Sequence, residues 1–365
     1  MDTPKTDILS LLPEQLEDAV RAMGAPKFRA KQIFRQMHVK RVFDFAKMTE
    51  LSKQFQAELQ ERFYINLPKI EKRLDSCADD TVKYLYRLSD GSCIETVRMV
   101  YHHGVTACIS TQVGCKMGCK FCASAPLGFV RNLTPSEMLG QIYCTDADFP
   151  PEQQISGIVL MGIGEPLDNF ENVMQFLRLI SNKEGRNLSL RHVALSTCGL
   201  VPMIERLAEE QLPLTLSVSL HASDNETRDA LMPVNRRYPI EQLLQACGDY
   251  FRRTGRRVTF EYAVIAGEND SPAAAKQLGK RLRPVFPNQR PHVNLIPVNP
   301  VAGTGFQAGH AEAFRRLLEQ EGINATVRRT LGEDIKAACG QLRRETAEKA
   351  AEESVVSTSE GVSGL

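Results

Sequence analysis

Apolar positions change their period twice along this chain. From about Leu9 to Phe63 they recur at helical spacing. Leu9, Leu12, Leu16 and Val20 form one stripe, and Phe28, Ile33, Phe34 and Met37 a second. Leu51, Phe55, Leu59 and Phe63 form a third, in steps of four. This pattern predicts a small helical bundle, with Pro13 suited to an early helical turn. Between Thr81 and Tyr101 the period drops to two. The runs 81–88 and 93–100 alternate on either side of Asp90-Gly91, which predicts a β-hairpin. From Val105 onward, short apolar runs alternate with amphipathic segments. Strands are predicted at 106–110, 155–161, 191–196, 214–220, 258–265 and 292–296. Helical faces are read at Phe170, Val173, Leu177 and Ile180, and at Ile240, Leu243, Leu244, Cys247 and Phe251. Six such β–α units imply an α/β fold whose parallel sheet is buried on both sides. Ligand sites in these folds lie beyond the carboxyl ends of the strands, so the motifs that follow each strand should converge. Beyond about Glu345 the chain reads as a fraying helix and a tail without chemistry.

Composition narrows the picture. A chain of 365 residues accommodates one large domain plus a smaller one. The boundaries read from the pattern are 1–66, 67–104, 105–345 and a 346–365 tail. The net charge of +1 leaves nucleic-acid binding to local patches. One such patch is Lys27, Arg29, Lys31, Arg35, Lys40, Arg41, Lys47 and Lys53, opposed between Lys27 and Lys53 by Asp44 and Glu50 alone. It reads either as a solvated helical face or as a contact with an RNA backbone. No run of about eighteen apolar residues exists to span a membrane. Ten cysteines without an export signal predict a reducing, cytoplasmic setting, where thiols act as ligands or catalysts.

Three of those cysteines, Cys115, Cys119 and Cys122, are spaced Cys-x3-Cys-x2-Cys in the loop after the first core strand. Thiolates suit iron–sulfur clusters, zinc or Cu(I). Three in one loop hold three corners of a cubane and leave the fourth iron open to a small molecule. The other reading is a zinc knuckle, although structural zinc takes four protein ligands and no Cys or His follows at the usual spacing. After the second strand, Gly162-Ile163-Gly164-Glu165-Pro166 offers close backbone approach and a carboxylate for a ligand amino group. The third strand ends in Ser196-Thr197-Cys198-Gly199, the fourth in Ser219-Leu220-His221-Ala222, and the sixth in Val298-Asn299-Pro300. Glu95, mid-strand between apolar neighbours, reads as an exposed strand carboxylate or as a general base facing a site.

The cysteine spacing after the first strand of a β/α core resembles the radical S-adenosylmethionine (SAM) superfamily. That resemblance implies a partial (β/α)6 barrel, here with a helical N-terminal accessory domain and a β-hairpin extension. It also implies a [4Fe–4S] cluster whose free iron chelates SAM and reduces it to a 5′-deoxyadenosyl radical. More closely, Thr111-Gln112-Val113-Gly114-Cys115, Phe121-Cys122-Ala123, Arg131-Asn132-Leu133-Thr134, Met161 to Pro166, Ser219 to Ala222 and Ala337-Ala338-Cys339-Gly340-Gln341-Leu342 resemble the RlmN/Cfr family of RNA adenine methyltransferases.

This resemblance implies roles that the residues alone do not. Cys339 takes a methyl group from a first SAM and presents it, after hydrogen abstraction by a second, to C2 of an adenine. Glu95 takes the C2 proton. Cys108 attacks the sulfur of Cys339, releasing the base and leaving a transient disulfide. Gly164, Glu165, Ser196, Ser219, Leu220, His221 and Asn299 hold SAM. Cys77, Cys93, Cys144, Cys198 and Cys247 match nothing catalytic and read as packing residues. The implied substrates are an adenosine of 23S rRNA and the adenosine 3′ of a tRNA anticodon. Their phosphates would meet the N-terminal basic cluster and Arg281, Arg283, Arg290, Arg328, Arg329, Arg343 and Arg344. The implied electron donor is a protein such as flavodoxin or ferredoxin, and the enzyme is expected to be a monomer without membrane contact. Methylation at C8 by the Cfr branch is the alternative chemistry, and a non-catalytic zinc-binding RNA module the alternative class.

Overall fold

The computed structural model describes residues 5–287, 289–298 and 305–335. Asn299, Cys339, Arg343, Arg344 and the 346–365 tail lie outside the described residues.

The N-terminal segment is helical, as its apolar spacing predicts. Strand β1 (Thr6–Asp7) precedes helices α1 (Pro13–Ala22), α2 (Phe28–His38) and α3 (Lys53–Arg62), and β2 (Phe63–Tyr64) returns to pair with β1 in parallel. Pro13 opens α1, where its missing N–H costs nothing. The Ser52 hydroxyl accepts the Phe55 N–H at 3.3 Å and starts α3. Leu16, Val20, Ile33, Phe34, Met37, Phe55 and Leu59 are buried together. Phe28 departs from its expected stripe and is 53% exposed. At 3.6 residues per turn it lies about 140° around the helix from Ile33, so its ring faces outward. The Arg29 guanidinium stacks on it at 5.0 Å.

The core begins with four antiparallel strands, β3 (Lys69–Asp75), β4 (Val82–Arg87), β5 (Cys93–Tyr101) and β6 (Gly104–Cys108). A small hairpin, β7 (Gln112–Gly114) and β8 (Phe129–Asn132), brackets the cysteine loop. Helix α4 (Pro135–Ala147) follows, capped reciprocally by Thr134 and Glu137. The chain then alternates through β9 (Ile155–Leu160), α5 (Phe170–Ile180), β10 (Val193–Thr197), α6 (Val201–Glu209) and β11 (Thr215–Ser219). After α7 (Asn225–Leu231) and α8 (Ile240–Thr254) come β12 (Val258–Val264), α9 (Pro272–Val285), β13 (His292–Pro297), α10 (Ala311–Gln320) and β14 (Asn324–Val327).

One ten-stranded sheet runs in the order β14-β13-β12-β11-β10-β9-β6-β5-β4-β3, parallel from β6 to β14. All six expected core strands are present, and the expected hairpin is β4–β5. The hairpin extends the core sheet, because β5 pairs with β6. Two strands of this sheet were not legible, nor were the short pairs β1–β2 and β7–β8 outside it. β3 is a largely exposed edge strand without alternation, and β14 is only four residues long.

Helix α4 is where the N-terminal helices dock. Tyr143 hydrogen-bonds His38 Nδ1 at 2.9 Å and stacks on Phe43. Arg41 pairs at 3.0 Å with Asp146, whose side chain is fully buried. Asp7 accepts hydroxyl protons from Ser10 and Ser136, and burial raises its pKa. His38 is buried at this contact, and desolvation lowers its pKa from 6.5 to about 3.

Because the folded value is depressed below the unfolded one, neutral His38 contributes stability above pH 6.5 that is lost as pH falls toward 3. His38→Gln should therefore be less stable than wild type at pH 7.5, with a gap that narrows steadily down to about pH 4. Thermal unfolding of both proteins across this range tests it. A gap of constant size would show that His38 is not a titrating element of this contact.

Candidate active site

The carboxyl ends of the parallel strands surround one cavity of about 370 Å³. Cys108 enters it from the end of β6, and Cys115, Cys119 and Cys122 from the loop between β7 and β8. Gly164 and Glu165 reach it after β9, Ser196 from β10, and Ser219 and His221 from β11 and its end. The expected convergence is thus present for these nine residues. Leu220 differs. Its side chain is fully buried in the main core, its N–H donates to Glu261 O at 3.0 Å, and its carbonyl accepts from Arg228 at 3.1 Å.

Two glycines allow the cysteine loop to sit where it does. A Cβ on Gly162 would lie 2.6 Å from the backbone of Ile109, whose carbonyl accepts the Gly162 N–H at 3.1 Å. The Gly-x-Gly of the second strand end therefore makes room for the neighbouring backbone that leads into the loop. Gly114 has φ +77°, and a Cβ there would strike the Gly128 carbonyl at 1.8 Å. At the next residue the Cys115 N–H donates to that carbonyl at 2.9 Å, closing the base of the loop.

Glu165 is buried, with each carboxylate oxygen anchored by a backbone N–H. Leu167 donates to Oε1 at 3.1 Å and Cys198 to Oε2 at 2.7 Å. Desolvation raises its pKa, and these hydrogen bonds oppose that shift. Lone pairs remain on both oxygens for a ligand ammonium. His221 is a non-glycine residue in the left-handed region, φ +54°. Its Nδ1 accepts the Ala263 N–H at 2.8 Å, and its carbonyl accepts from Asn269 at 2.8 Å. Burial lowers its pKa to about 3, so the ring is neutral and carries its proton on Nε2. Backbone strain held this way at a cavity wall is a mark of functional sites.

Burial raises the thiol pKa values of Cys115, to about 11, and of Cys119. Without a metal these thiols are protonated, and ligation as thiolates would release protons. Among the described residues no three His, Cys, Asp or Glu side chains converge on a single metal ion. Three thiols that each take a different iron of a cubane need not converge. All three face the same cavity as Glu165, so the donor set fits an open [4Fe–4S] cluster with a chelating ligand beside it.

Several contributors escaped the sequence reading. Arg228 is fully buried and donates to the carbonyls of Cys198 (2.7 Å), Ser219 (3.0 Å) and Leu220 (3.1 Å) and to Asn235 (3.0 Å). Glu261 lines the cavity from β12, held by Asn294 at 2.7 Å, with its pKa raised by burial. Arg328, Arg329, Thr330 and Leu331 cross the cavity after β14. The chain is then fastened to the loop joining β3 and β4. Gly332 N–H donates to Asp79 at 2.9 Å, and Asp334 accepts from Ser76 Oγ at 2.6 Å and Cys77 N–H at 2.7 Å. The segment thus runs from one edge strand of the sheet to the loop at the other, five residues ahead of Cys339 in sequence. Cys77 is exposed there and is not the packing residue expected.

Cys108 sits among Val97, Met99, Met161 and Leu331. Val97 is its cross-strand partner, and Glu95 is the next residue on the same face of β5. Glu95 is not an exposed strand carboxylate. It is 3% exposed and pairs at 3.4 Å with Lys83, which is equally buried. Of the basic residues singled out, Lys27 pairs with Glu17, Lys40 with Glu50, Lys47 with Asp44 and Arg281 with Glu241. Arg35 is exposed and has no ion pair among the described residues, while Arg328 and Arg329 face the cavity.

Comparison with known proteins agrees with this geometry. The family model of the radical SAM superfamily matches residues 109–277, which hold the cysteine loop and Glu165. That of the ribosomal RNA large subunit methyltransferase N-terminal domain matches residues 6–65. A probable dual-specificity RNA methyltransferase RlmN of Lachnoclostridium phytofermentans is 45% identical over 350 residues, covering 95% of this chain and 97% of the relative. Its counterpart in Alkaliphilus oremlandii is 49% identical over 343 residues, covering 93% and 98%. The crystal structure of a radical SAM methyltransferase from Sphaerobacter thermophilus superposes with a TM-score of 0.85 at 41% identity, covering 92% of this chain and 98% of that one. The cofactors of the site are accordingly a [4Fe–4S] cluster and SAM, and the zinc-module reading is set aside. With both of its segments matched and such relatives aligned over almost its whole length, the chain belongs to the RlmN family of radical SAM RNA methyltransferases.

Proposed function

We propose that this protein methylates C2 of an adenosine in 23S rRNA and of the adenosine 3′ of the anticodon in tRNA. The reading rests on family membership and on one structural observation. Cys108, the three loop cysteines and the segment leading toward Cys339 line a single cavity. The dual specificity in the relatives' names supports two RNA substrates, and the RlmN-type N-terminal segment favours C2 over C8.

The bound cluster and SAM supply one-electron hydrogen abstraction, which the electron-poor C2 carbon requires. The chain supplies the rest. Cys115, Cys119 and Cys122 hold the cluster, and Gly164, Glu165, Ser196, Ser219, His221 and Asn299 hold SAM, while Leu220, whose side chain and backbone groups are engaged in the core, positions Ser219 and His221 beside it. Cys339 carries the methyl carbon as a thioether and joins it to C2. Glu95 accepts the C2 proton. It lies diagonally across from Cys108 on the cavity face of the sheet, where such neighbours are about 7–8 Å apart. Lys83 balances its charge in that buried setting. Cys108 thiolate then attacks the Cys339 sulfur; the S–S bond forms as the S–C bond breaks, the released methylene carbon takes up a proton to become the methyl group, and the disulfide is left for external thiols to reduce. The target base must leave its stack to enter the cavity.

Residues 1–66 read as an RNA-reading domain, 67–104 as the sheet extension, 105–345 as the catalytic core and 346–365 as a tail. Among the described residues no helix is long and apolar enough to cross a membrane. The enzyme is read as a cytoplasmic monomer served by a flavodoxin or ferredoxin.

Cys339→Ala should bind its cluster yet give no methylated RNA, whereas Cys108→Ala should accumulate a covalent protein–RNA adduct visible by denaturing electrophoresis. An active Cys339→Ala enzyme, or free turnover by Cys108→Ala, would sink this mechanism, and mass mapping of the methyl to C8 would redirect it. Glu95→Gln should slow product release by about 10²–10⁴-fold, the usual worth of a general base, while methylation of Cys339 continues. Equal loss of both steps would assign Glu95 a structural role. Replacing Lys27, Arg29, Lys31 and Arg35 together by Gln should weaken RNA binding and flatten its salt slope. Unchanged affinity and slope would remove the N-terminal helices from the RNA interface.

A further inference from the structure

The cysteine loop has two faces. Cys115, Met117, Cys119 and Phe121 line the cavity, while Lys116 and Lys120 between them are exposed. Beside this outer face stand two exposed apolar residues of β8, Phe129 at 39% and Val130 at 57%. The Lys116 ammonium lies 5.3 Å from the Phe129 ring centroid. On the other flank, Lys120 N–H donates to Leu231 O at 2.9 Å, and Pro233 would be 3.7 Å from a Cβ on Gly118. That contact brings the short helical turn Pro233–Arg236 and Arg237 alongside the loop.

The charge here is one-sided. Lys120, Arg236 and Arg237 are exposed and form no ion pair among the described residues. Of the neighbouring carboxylates, Asp168 is paired with Lys116 and Asp90 with Arg131, while Asp229 is hydrogen-bonded by the neutral Asn235 amide and keeps its charge, leaving the positive charges in excess. A chain of net charge +1 therefore sets unpaired positive charge on one flank of the cysteine loop and exposed apolar residues on the other. Exposed apolar residues together with arginines are what protein interfaces are enriched in. Target bases must reach Cys108 on the inner side.

We propose that this outer face, formed by Lys120, Phe129, Val130, Arg236 and Arg237, is the docking surface for an acidic one-electron donor protein. Resting on the function proposed above, it gives the two substrates separate entrances. RNA occupies the cavity, and the donor meets the back of the cluster loop. One electron leaves the reduced donor, which is oxidised by one, and enters the cluster, which is reduced by one. No proton or bond changes hands at this surface.

The test uses cluster-loaded enzyme, oxidised flavodoxin as the probe, and titration calorimetry at two salt concentrations. Arg236→Glu/Arg237→Glu should raise the flavodoxin Kd about tenfold or more and flatten its salt dependence. Val130→Asp should also weaken binding. Both variants should keep wild-type RNA affinity and wild-type methylation when dithionite replaces the protein donor. Unchanged flavodoxin affinity would overturn the proposal, and so would a parallel fall in RNA affinity, which would give the face to RNA. Failure of the wild-type enzyme to methylate RNA with dithionite would instead overturn the functional reading itself.

Discussion

A buried guanidinium holds the working end of this sheet together. Parallel strands stop with carbonyls pointing into the site, and each carbonyl out of water needs a donor. Arg228 supplies four hydrogen bonds, three of them to the strand-end carbonyls of Cys198, Ser219 and Leu220. Burying an isolated charge costs several kcal/mol, and four hydrogen bonds to buried acceptors offset that cost here. The consequences spread outward. Cys198, fixed by its carbonyl, presents its N–H to Glu165. Leu220, fixed by its own, sets up the strained backbone of His221. The helix that carries Arg228 ends at Leu231, whose carbonyl receives Lys120 of the cysteine loop. The cavity carboxylate, the cavity histidine and the cysteine loop are thus indexed to one side chain.

The opposite wall is built differently. There the β-hairpin strands extend the sheet, and Cys108 and Glu95 lie on adjacent strands of the same face. Cross-strand register sets their separation, so it needs no loop to maintain it. The segment after β14 completes the enclosure by crossing the cavity and fastening to the β3–β4 loop through Asp334, Ser76 and Asp79. An open ten-stranded sheet has two distant edges, and this strap links them. It packs Leu331 beside Cys108, more than two hundred residues earlier in sequence.

Much of this was legible beforehand because it is local. Six parallel strands followed from apolar runs bounded by turn residues, and the hairpin from two alternating runs around Asp90-Gly91. The misses share a cause. Phe28 was assigned to a stripe by its apolarity, but its helical phase turns it outward. Glu95 was left open between an exposed carboxylate, as a strand glutamate usually is, and a base facing a site. Its burial follows from Lys83 on the neighbouring strand, at a register that one strand's pattern does not disclose. The glycines of Gly162-Ile163-Gly164 were read as allowing close backbone approach, but that the partner at Gly162 is the Ile109 backbone only the packed strands disclose.

The sequence by itself determined the chemistry of the site. Three thiols at Cys-x3-Cys-x2-Cys, polar residues at successive strand ends and the motif around Cys339 carry their meaning in residue type and short spacing. The tertiary structure decided which of these groups meet and what holds them. It set Cys108 beside the cluster cysteines, anchored both oxygens of Glu165, buried Glu95 against Lys83, and placed Arg228 under three carbonyls. It also separated the loop's cavity face from its charged outer face. Ligand identity is a local property of side chains, whereas convergence depends on strand order, register and burial, which exist only once distant segments have packed.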